Sequence, residues 1–287
     1  MSDHLGRRRE VKVPASSANL GPGFDVLAAA LGLHLTVEVV ETGEFKVVTD
    51  LAVRKDRGNL VVRAFERLHP VDNFEFRLSS TIPLSGGLGS SAAAIVAGLM
   101  AADHLFELDS PLFELATEIE GHPDNVAAAI HGGIVMCGSG GIRAIVPPQD
   151  LEAILVVPDQ PVRTAEARAA LPKMVPLKDA VANLAALSQL IFGLASSDYE
   201  AIAAGLDDRL HQPYRAHLYP GSALLVEKAR EAGAIGATIS GAGPTVLVWS
   251  RAEQTGAVIA ELRDRVAGWA QLIRVQLETC GARVTGL

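Results

Sequence analysis

The chain has 287 residues, of which 49% are hydrophobic and 20% charged, enough apolar material for a substantial core and too much for a disordered protein. Its net charge of -8, without a basic stripe carrying interleaved aromatics, argues against a nucleic-acid-binding protein. Its 2 cysteines stand far apart without a CxxC pair, which argues against a disulfide framework and predicts a cytoplasmic protein.

The first half of the chain alternates strand and helix patterns. Period-two alternation predicts strands beginning at Val11 to Pro14 and running over Leu33 to Val40 and Phe74 to Leu78. Helical spacing of apolar residues predicts a helix from Asn59 to Leu68. The pattern indicates a mixed fold of helices and strands.

A loop of small and polar residues follows the first strand. It runs from Pro14 to Asp25 and includes Asn19 and two glycines. Small residues with a buried-prone amide and carboxylate are typical of a loop that lines a cavity. A tight Asn/Gly turn between strands explains the same segment when it is taken alone.

The most informative segment is a glycine- and serine-rich loop that opens into an alanine-rich helix. It reads Pro83, Leu84, Ser85, Gly86, Gly87, Leu88, Gly89, Ser90, Ser91, Ala92, Ala93, Ala94. The first N–H groups of such a helix are unpaired and lie at the positive end of the helix dipole, which favours a bound phosphate. Ser90 or Ser91 is the predicted N-cap. A Walker A lysine is missing, and a plain turn before a core helix is the competing interpretation.

The helix after this loop reads as a buried helix. Its apolar run from Ala92 to Ala102 has 11 residues, too few to span a bilayer, so no membrane partner is expected. Ser110 and Pro111 predict the start of a second helix that ends near Glu120.

Carboxylates, a histidine and an amide converge at the end of this second helix. The residues are Glu118, Glu120, His122, Asp124 and Asn125. Mg²⁺ takes one or two carboxylates from a protein and its other ligands from phosphate, so the cluster favours magnesium. Zinc is less favoured, because no second His or Cys stands at ligand spacing. Glu118 also fits a solvated charge at a helix end.

The second half continues the mixed pattern after the Gly/Pro-rich stretch 138–148, which predicts domains at 1–148 and 149–287. The predicted elements are a strand at Ala153 to Val157, a broken helix at Ala180 to Leu206, a helix at Ser222 to Ala232, strands at Ala237 to Ser240 and Val246 to Ser250, and a helix at Glu253 to Ala270. Ile239 to Thr245 forms a Gly-Ala-Gly-Pro turn between the two late strands, uninformative by itself.

Taken together, the four clusters resemble the GHMP kinase superfamily, in which a Pro-x-x-x-Gly-Leu-Gly-Ser-Ser-Ala loop wraps a triphosphate. Three long segments resemble the homoserine kinases within it: 13–25, 120–126 and 240–245. Their order and rough spacing agree over essentially the whole chain. The resemblance implies an α+β fold, with an amino-terminal half like ribosomal protein S5 domain 2 and a ferredoxin-like carboxyl-terminal half. It also implies transfer of the ATP γ-phosphoryl group to L-homoserine, Mg²⁺ as cofactor, and a homodimer.

Site residues follow from the resemblance motif by motif. The loop from Pro83 to Ala93, with Asn59, would bind the nucleotide, and Ser91 and Glu120 the metal. The chain is shorter than other homoserine kinases just after this acid, so Glu118 and Glu114 remain alternatives to Glu120. The substrate residues implied are Asn19 and Asp25, His122, Asp124 and Asn125, Thr164, Arg168 and Arg215, and Gly241 and Gly243.

An amino-acid acceptor needs both signs of charge in its site. Arg168 and Arg215 lie in segments that place carboxylate-binding arginines in this family, although a surface arginine also fits each helical context. Asp124 suits the ammonium, and it is also the only plausible general base. Because the transition state of phosphoryl transfer is loose, we expect catalysis without a dedicated base, with Asn19 orienting the hydroxyl.

Two other functions remain open at this point. The first is a GHMP kinase for another small alcohol of the mevalonate or shikimate class, whose acceptors carry no amine. The second is a sensor that kept the fold and lost catalysis. The acids at 120 and 124, the amide at 19 and the intact phosphate loop argue against a sensor.

Overall fold

The structure is a computed structural model that describes residues 6–84 and 86–286. The strands are β1 (Arg8–Ala18), β2 (Leu27–Glu41), β3 (Lys46–Val48), β4 (Phe74–Ser80), β5 (Ile134–Gly138), β6 (Gly141–Ile145), β7 (Leu151–Pro158), β8 (Gly236–Ile239), β9 (Val246–Arg251), β10 (Ala270–Gln276) and β11 (Arg283–Gly286). The helices are α1 (Leu60–Glu66), α2 (Ser90–Phe106), α3 (Leu112–Glu120), α4 (Asp124–His131), α5 (Thr164–Ala169), α6 (Leu177–Ser196), α7 (Tyr199–Ala204), α8 (Gln212–Arg215), α9 (Pro220–Lys228) and α10 (Thr255–Val266).

The first sheet is built around the long strand β2. Its order is β11-β1-β2-β4-β3, and β5 pairs with the other end of β2 and with β6. From Leu35 to Val39 the residues of β2 alternate between buried and half-buried, as the period-two pattern predicts. The carboxyl-terminal strand β11 pairs with β1, so the chain returns to this sheet at its end.

The second sheet has four antiparallel strands in the order β10-β7-β9-β8. Its elements follow one another as strand, helices, two strands, helix, strand, which is the ferredoxin-like arrangement. The prediction of a ferredoxin-like second half is therefore confirmed. The two sheets share one hydrophobic core, which includes Leu155 and Trp249 of the second sheet and Val13 and Val37 of the first.

The alanine-rich helix α2 lies in this core, and most of its side chains are buried. Alanine has no side-chain entropy to lose and a small volume, so a helix of alanines can pack closely on its neighbours from several directions. Among them, α2 contacts α1, β1 and α3. This placement confirms the prediction of a buried helix.

Two predicted helix starts were wrong. Gly89, rather than Ser90 or Ser91, is the N-cap of α2, and it adopts a left-handed conformation without a side-chain cap. The second helix begins at Leu112, with Pro111 rather than Ser110 as its N-cap.

Three other boundaries also differ from the sequence predictions. The segment from Pro14 to Ala18 belongs to β1, because it continues the pairing with β2 across an irregularity in register. Helix α4 was not predicted, since only three residues separate it from α3. The last helix ends at Val266, and Ala270 already begins β10 on the far side of a turn.

Among the described residues, the helix α6 has the length and apolar composition needed to cross a bilayer, which core helices of soluble proteins can also have. The inward face of α6 packs on the main core through Leu190 and Leu194. Both cysteines are free thiols, and burial raises the pKa of Cys137 to about 11.

Candidate functional site

A cavity of about 700 Å³ receives residues from all four sequence clusters. The predicted site residues that line it are Asn19, Asp25, Asn59, Leu84, Gly87, Leu88, Gly89, Ser90, Ser91, Glu120, His122, Asp124, Asn125, Thr164, Arg168, Arg215, Gly241 and Gly243. Of the other predicted positions, Pro83, Gly86, Ala92 and Ala93 do not line it, and Ser85 lies outside the described residues. The volume is that of a small-molecule site.

The amino-terminal end of α2 opens into this cavity. The first helical hydrogen bond runs from Ala93 N to Gly89 O at 2.9 Å, so the amides of Ser90, Ser91 and Ala92 precede the helical ladder. Free amides and the positive end of the dipole of a 17-residue helix form an anion-binding corner. A Cβ at Gly89 would overlap Ser16 Oγ, so glycine is needed here for packing as well as for its φ of 66°.

The phosphate loop is held in place by the late glycine turn. Ser240 Oγ donates to Gly87 O at 2.7 Å, and Thr245 N donates to Gly86 O at 3.3 Å. A Cβ at Gly87 would overlap Ser240 O. The late turn, uninformative as sequence, therefore fixes the position of the phosphate loop.

One acidic side chain faces the amino-terminal end of α2. Ser91 Oγ donates to Glu120 Oε1 at 2.5 Å, and burial is the main cause that raises the pKa of Glu120. Glu118 instead points to solvent, where it pairs with Arg67 at 3.0 Å, and Glu114 is also exposed. Of the three candidate acids only Glu120 lines the cavity.

The donor set at this corner suits magnesium better than zinc. Across residues 6–84 and 86–286 there is no cluster of three His, Cys, Asp or Glu side chains that would hold a metal by itself. Magnesium does not require one, because phosphate oxygens and water supply most of its ligands. A buried carboxylate beside a serine hydroxyl and an anion-binding corner fits that requirement.

The start of α4 brings a second carboxylate into the cavity. Asp124 is 2% exposed, and its Oδ1 accepts the N–H of Asn125 at 2.7 Å. His122 Nδ1 lies 3.3 Å from the same oxygen, poorly aligned for a neutral hydrogen bond but close enough for an ion pair. Asn125 Oδ1 accepts from Ser16 Oγ at 2.8 Å, which ties α4 to β1.

The contact with Asp124 raises the pKa of His122 above its usual value, against the opposing effect of burial. We expect an NMR titration to give His122 a pKa above about 6.5, and Asp124→Asn to lower it. The ion pair stabilises the fold fully below the unfolded-state pKa, and this contribution is lost as pH rises through the raised folded-state pKa. A His122 pKa that is unchanged in Asp124→Asn would contradict this pairing.

Asn19 lies at the centre of the loop after β1, with a left-handed φ of 71°. Its Oδ1 accepts the N–H of Asp25 at 3.0 Å, and its Nδ2 donates to Gly241 O at 2.8 Å. One Nδ2 hydrogen and one Oδ1 lone pair remain for a ligand. The amide therefore joins the early loop to the late glycine turn and still reaches the cavity.

Two arginines from the second half converge on this loop. Arg168 forms a two-point ion pair with Asp25, at 2.9 and 3.1 Å. Arg168 and Arg215 both lie against the ring of Phe24, with guanidinium carbons 5.8 and 5.3 Å from its centroid. Asp25 and the buried Asp208 both act on Arg215, so the two guanidinium groups at this corner are accompanied by two carboxylates.

Arg215 is 2% exposed and is held by a buried network. Its Nε donates to Ala167 O at 2.9 Å, and its Nη1 lies 3.2 Å from both Gly241 O and His211 Nδ1. Burial lowers the pKa of His211, which keeps that ring neutral and able to accept from the guanidinium. Among the described residues, Nη2 of Arg215 has no hydrogen-bond partner.

The other end of the cavity is apolar. It is lined by Leu51, Val53, Leu60 and Leu84. Asn59 lies at its edge, but its side chain already caps α1, with Oδ1 accepting from Val61 N at 2.9 Å and Nδ2 donating to Arg54 O at 2.7 Å. Because both polar atoms of the Asn59 side chain are already hydrogen-bonded, only its main chain is available to contact a nucleotide base.

Some residues of the cavity and its support were missed by sequence reasoning. Arg163 and the segment 51–54 line the cavity but were not singled out. Ser16 and His211 support the site without lining it: Ser16 lies within the recognised loop after β1, and His211 precedes the recognised segment at Arg215. The segment 51–54 has no glycine or charge pattern that marks a binding loop.

The comparisons with known protein families cover both halves of the chain. Residues 59–133 match the GHMP kinases N terminal domain, and residues 183–268 match the GHMP kinases C terminal domain. Together the matched regions make up more than half of the chain.

Individual relatives match nearly the whole length. A homoserine kinase of Carboxydothermus hydrogenoformans is 39% identical, over 95% of this chain and 95% of that protein. A homoserine kinase of a Synechococcus species is 42% identical, over 88% of each. The crystal structure of a homoserine kinase from Cytophaga hutchinsonii superimposes with a TM-score of 0.86 at 29% identity, over 99% of both chains. A mevalonate kinase structure, at 17% identity and a TM-score of 0.69, shares the fold alone.

Proposed function

The chain belongs to the homoserine kinases of the GHMP kinase family, and on that premise we propose which of its residues perform the reaction. It phosphorylates the side-chain hydroxyl of L-homoserine with ATP, a step of threonine biosynthesis. The assignment of residues rests on one observation. A single cavity is lined both by the amino-terminal end of α2 and by side chains of opposite charge, Arg168 and Arg215 with Asp25 and Asp124.

ATP would bind across the apolar end of the cavity and the amino-terminal end of α2. The base fits among Leu51, Val53 and Leu84, and the triphosphate fits against the amides of Ser90 and Ser91. Gly87 and Gly89 have no side chain, so phosphate oxygens can approach the backbone of this loop closely.

Ser91 and Glu120 would hold Mg²⁺ between them. The metal, when bound, supplies positive charge to the phosphate oxygens on which negative charge develops. Burial raises the pKa of Glu120, and a cation beside this carboxylate would favour its ionised form.

Homoserine would bind on the side of Asn19. Its carboxylate fits the guanidinium groups of Arg215 and Arg168, and its ammonium fits Asp124, with Asp25 as a second carboxylate at the same corner. A substrate carboxylate could share Arg168 with Asp25 or displace it. This arrangement brings the side-chain hydroxyl toward Asn19 and the phosphate loop.

Transfer requires little chemistry from the side chains themselves. Because the transition state is loose, positioning and charge neutralisation supply most of the acceleration. We propose that Asn19 orients the hydroxyl while the amides at the start of α2 stabilise the developing charge. Asp124 has one oxygen bound to Asn125 N, and it would be further occupied by the substrate ammonium, so no dedicated base is assigned.

The test of this function is ADP release measured with homoserine, serine, threonine, mevalonate and shikimate as acceptors. Homoserine should be strongly preferred. A preference for mevalonate or shikimate, which carry no amine, would overturn the assignment of Asp124. ATP binding without turnover of any acceptor would favour a sensor.

Removal of either arginine should weaken the use of homoserine. A charge-assisted hydrogen bond contributes about 1.5–3 kcal/mol, so kcat/KM should fall by about 10-fold to over 100-fold in Arg168→Ala and Arg215→Ala. The buried Arg215 should show the larger loss, because the charge of Arg168 is partly screened by solvent. ATP Kd should barely change.

Arg209→Ala is the matched control, since Arg209 forms a surface ion pair with Asp179 at 3.4 Å outside the cavity lining. It should leave both constants unchanged. Normal kcat/KM for homoserine in both cavity variants would mean that the substrate carboxylate is held elsewhere. The cytoplasmic location, the division at 148 and 149, and the homodimer stay predictions.

A further inference from the structure

His211 is a fully buried histidine to which the reaction assigns no role. Its ring lies between the loop after β1 and the side chain of Arg215. A buried polar ring is costly unless its nitrogens are hydrogen-bonded, so the partners of the two nitrogens indicate what the residue does.

The two ring nitrogens of His211 have partners of opposite kinds. Nε2 lies 2.9 Å from Gly21 O and 3.4 Å from Asp208 Oδ2, and both of these oxygens are acceptors. Nδ1 lies 3.2 Å from Arg215 Nη1, which can only donate. The partners therefore place one ring proton on Nε2 and leave Nδ1 as an acceptor. Burial favours this neutral state, because it lowers the pKa of His211.

The contact with Nδ1 determines which part of Arg215 is left for a ligand. Nε donates to Ala167 O at 2.9 Å, and Nη1 donates to Gly241 O and to His211 Nδ1, each at 3.2 Å. Three of the five N–H groups of the guanidinium are then used, and the remaining two belong to Nη2. Without the acceptor at Nδ1, one N–H of Nη1 would be buried and unpaired unless the guanidinium turned.

The segment that carries both residues is fixed by Asp208. Helix α8 has 4 residues, too few to be stable through its own hydrogen bonds. The buried carboxylate of Asp208 accepts the N–H groups of Leu210, His211 and Gln212 at 2.9, 3.1 and 2.7 Å. His211 and Arg215 are four residues apart, so this fixed turn holds them on one side.

The imidazole is anchored on its other side by the loop that carries Asn19. Gly21 O accepts from Nε2, and the ring of Phe24 packs on His211 with the two centroids 5.3 Å apart. Phe24 also contacts the guanidinium of Arg215. Asn19 and Arg215 come from opposite halves of the chain, and His211 contacts the loop of one and the side chain of the other.

We propose that His211 is a positioning residue for homoserine, whose imidazole holds the guanidinium of Arg215 so that Nη2 meets the substrate carboxylate. This inference rests on the proposed role of Arg215 in binding homoserine. Because His211 acts through Arg215, its loss should weaken homoserine binding and leave ATP binding unchanged. A histidine that only filled the core would lower the stability of the chain without affecting one substrate more than the other.

Two conservative variants separate the two contacts of the ring. Glutamine places a donor as many bonds from Cα as Nε2, so it can keep the bond to Gly21 O, but it has no acceptor at the position of Nδ1. Asparagine has an oxygen as many bonds from Cα as Nδ1, so it can accept from Arg215. His211→Gln should raise the KM for homoserine by about 2-fold to 10-fold with kcat nearly unchanged, and His211→Asn should raise it less.

A double-variant cycle tests whether His211 acts through Arg215. In the Arg215→Ala background, His211→Gln should cause no further loss of kcat/KM for homoserine, because the guanidinium that it orients is gone. His69→Gln is the matched control. The ring of His69 stacks on that of Phe106, with centroids 3.6 Å apart, outside the cavity lining. This variant should leave the KM for homoserine and the ATP Kd unchanged.

The outcomes distinguish this inference from the function on which it rests. Normal homoserine kinetics in Arg215→Ala would overturn the role of Arg215 and the inference with it. An impaired Arg215→Ala beside a normal His211→Gln would overturn the inference alone. It is also overturned if the effects of the two variants multiply, if the ATP Kd rises together with KM, or if His211→Asn is worse than His211→Gln. A His211→Gln protein that far-UV CD shows to be unfolded would make His211 a core residue.

Discussion

Gly89→Asp should abolish measurable ATP binding and turnover. Gly89 begins α2, directly before the amides proposed to hold the triphosphate. A carboxylate there repels phosphate oxygens and competes for the same amides. Loss of one charge-assisted hydrogen bond costs about 1.5–3 kcal/mol, and repulsion adds to it, so ATP Kd should rise by about 100-fold or more. Calorimetric titration of ATP into the folded variant measures the effect.

A second effect is packing against β1. A Cβ at residue 89 would overlap Ser16 Oγ, and the φ of 66° lies in the left-handed region that favours glycine. Gly89→Ala measures that contribution without charge. Adding Ser16→Ala should restore part of the ATP binding of Gly89→Ala, whereas it should not rescue Gly89→Asp.

Gly43→Asp is the control for backbone strain alone. Gly43 has a φ of 89°, nothing lies within 4 Å of an added Cβ, and it does not line the cavity. It should lose some stability and bind ATP normally. Near-normal ATP affinity in a folded Gly89→Asp protein would rule out this loop as the triphosphate site.

Glu120→Gln should remove most of the activity and raise the magnesium concentration needed for half-maximal rate. Loss of a side chain that only supports a metal ligand costs about 10–100-fold, so loss of a direct ligand should lower kcat by about 100-fold or more. The hydrogen bond from Ser91 Oγ can persist, because glutamine keeps an accepting oxygen. A magnesium titration of the rate gives both numbers.

The same variant should not be less stable in metal-free buffer. Burial raises the pKa of Glu120, so the folded chain keeps this proton to a higher pH than the unfolded chain. The free energy of unfolding therefore falls as pH rises from the unfolded-state pKa to the raised folded-state pKa, and it stays lower above that range. Glutamine removes this penalty, so thermal unfolding at neutral pH should occur at the same or a higher temperature. If Glu120 instead stabilised the fold, Glu120→Gln would unfold at a lower temperature.

Glu118→Gln is the matched control. Glu118 lies two residues earlier in the same helix, but it is exposed and paired with Arg67 at the surface. Exposed pairs contribute about 0–1 kcal/mol, so this variant should keep its activity and its magnesium requirement. The opposite ranking of the two variants would assign the metal to Glu118. The assignment of this protein as a kinase would not change.

Some predictions from the sequence failed for local reasons. Ser90 and Ser91 are good N-caps by type, yet Gly89 caps α2, because the loop must turn with a positive φ to reach β1 and the late glycine turn. Helix α4 was not predicted, because only the three residues from Gly121 to Pro123 separate it from α3. In both cases a neighbouring segment, rather than the propensity of the residue, decided the conformation.

The mixed fold, the buried helix α2 and the glycine-rich loop at its start, which we propose binds phosphate, could be predicted from the sequence alone. These follow from local requirements: the period of apolar residues, the need for glycine where backbone approaches a ligand, and unpaired amides at a helix end. The family, too, could be read from the order of three long motifs, and the comparisons confirm it.

Only the tertiary structure decided which side chains meet in the cavity. Glu118 and Glu120 are equivalent as sequence, but the helix turns one to Arg67 in solvent and the other to Ser91. Arg215 and Asn19 lie far apart in the chain, and both hydrogen-bond to Gly241 O. Such contacts depend on where distant elements pack, and no local pattern encodes that arrangement, because a side chain's surroundings are set by the whole fold.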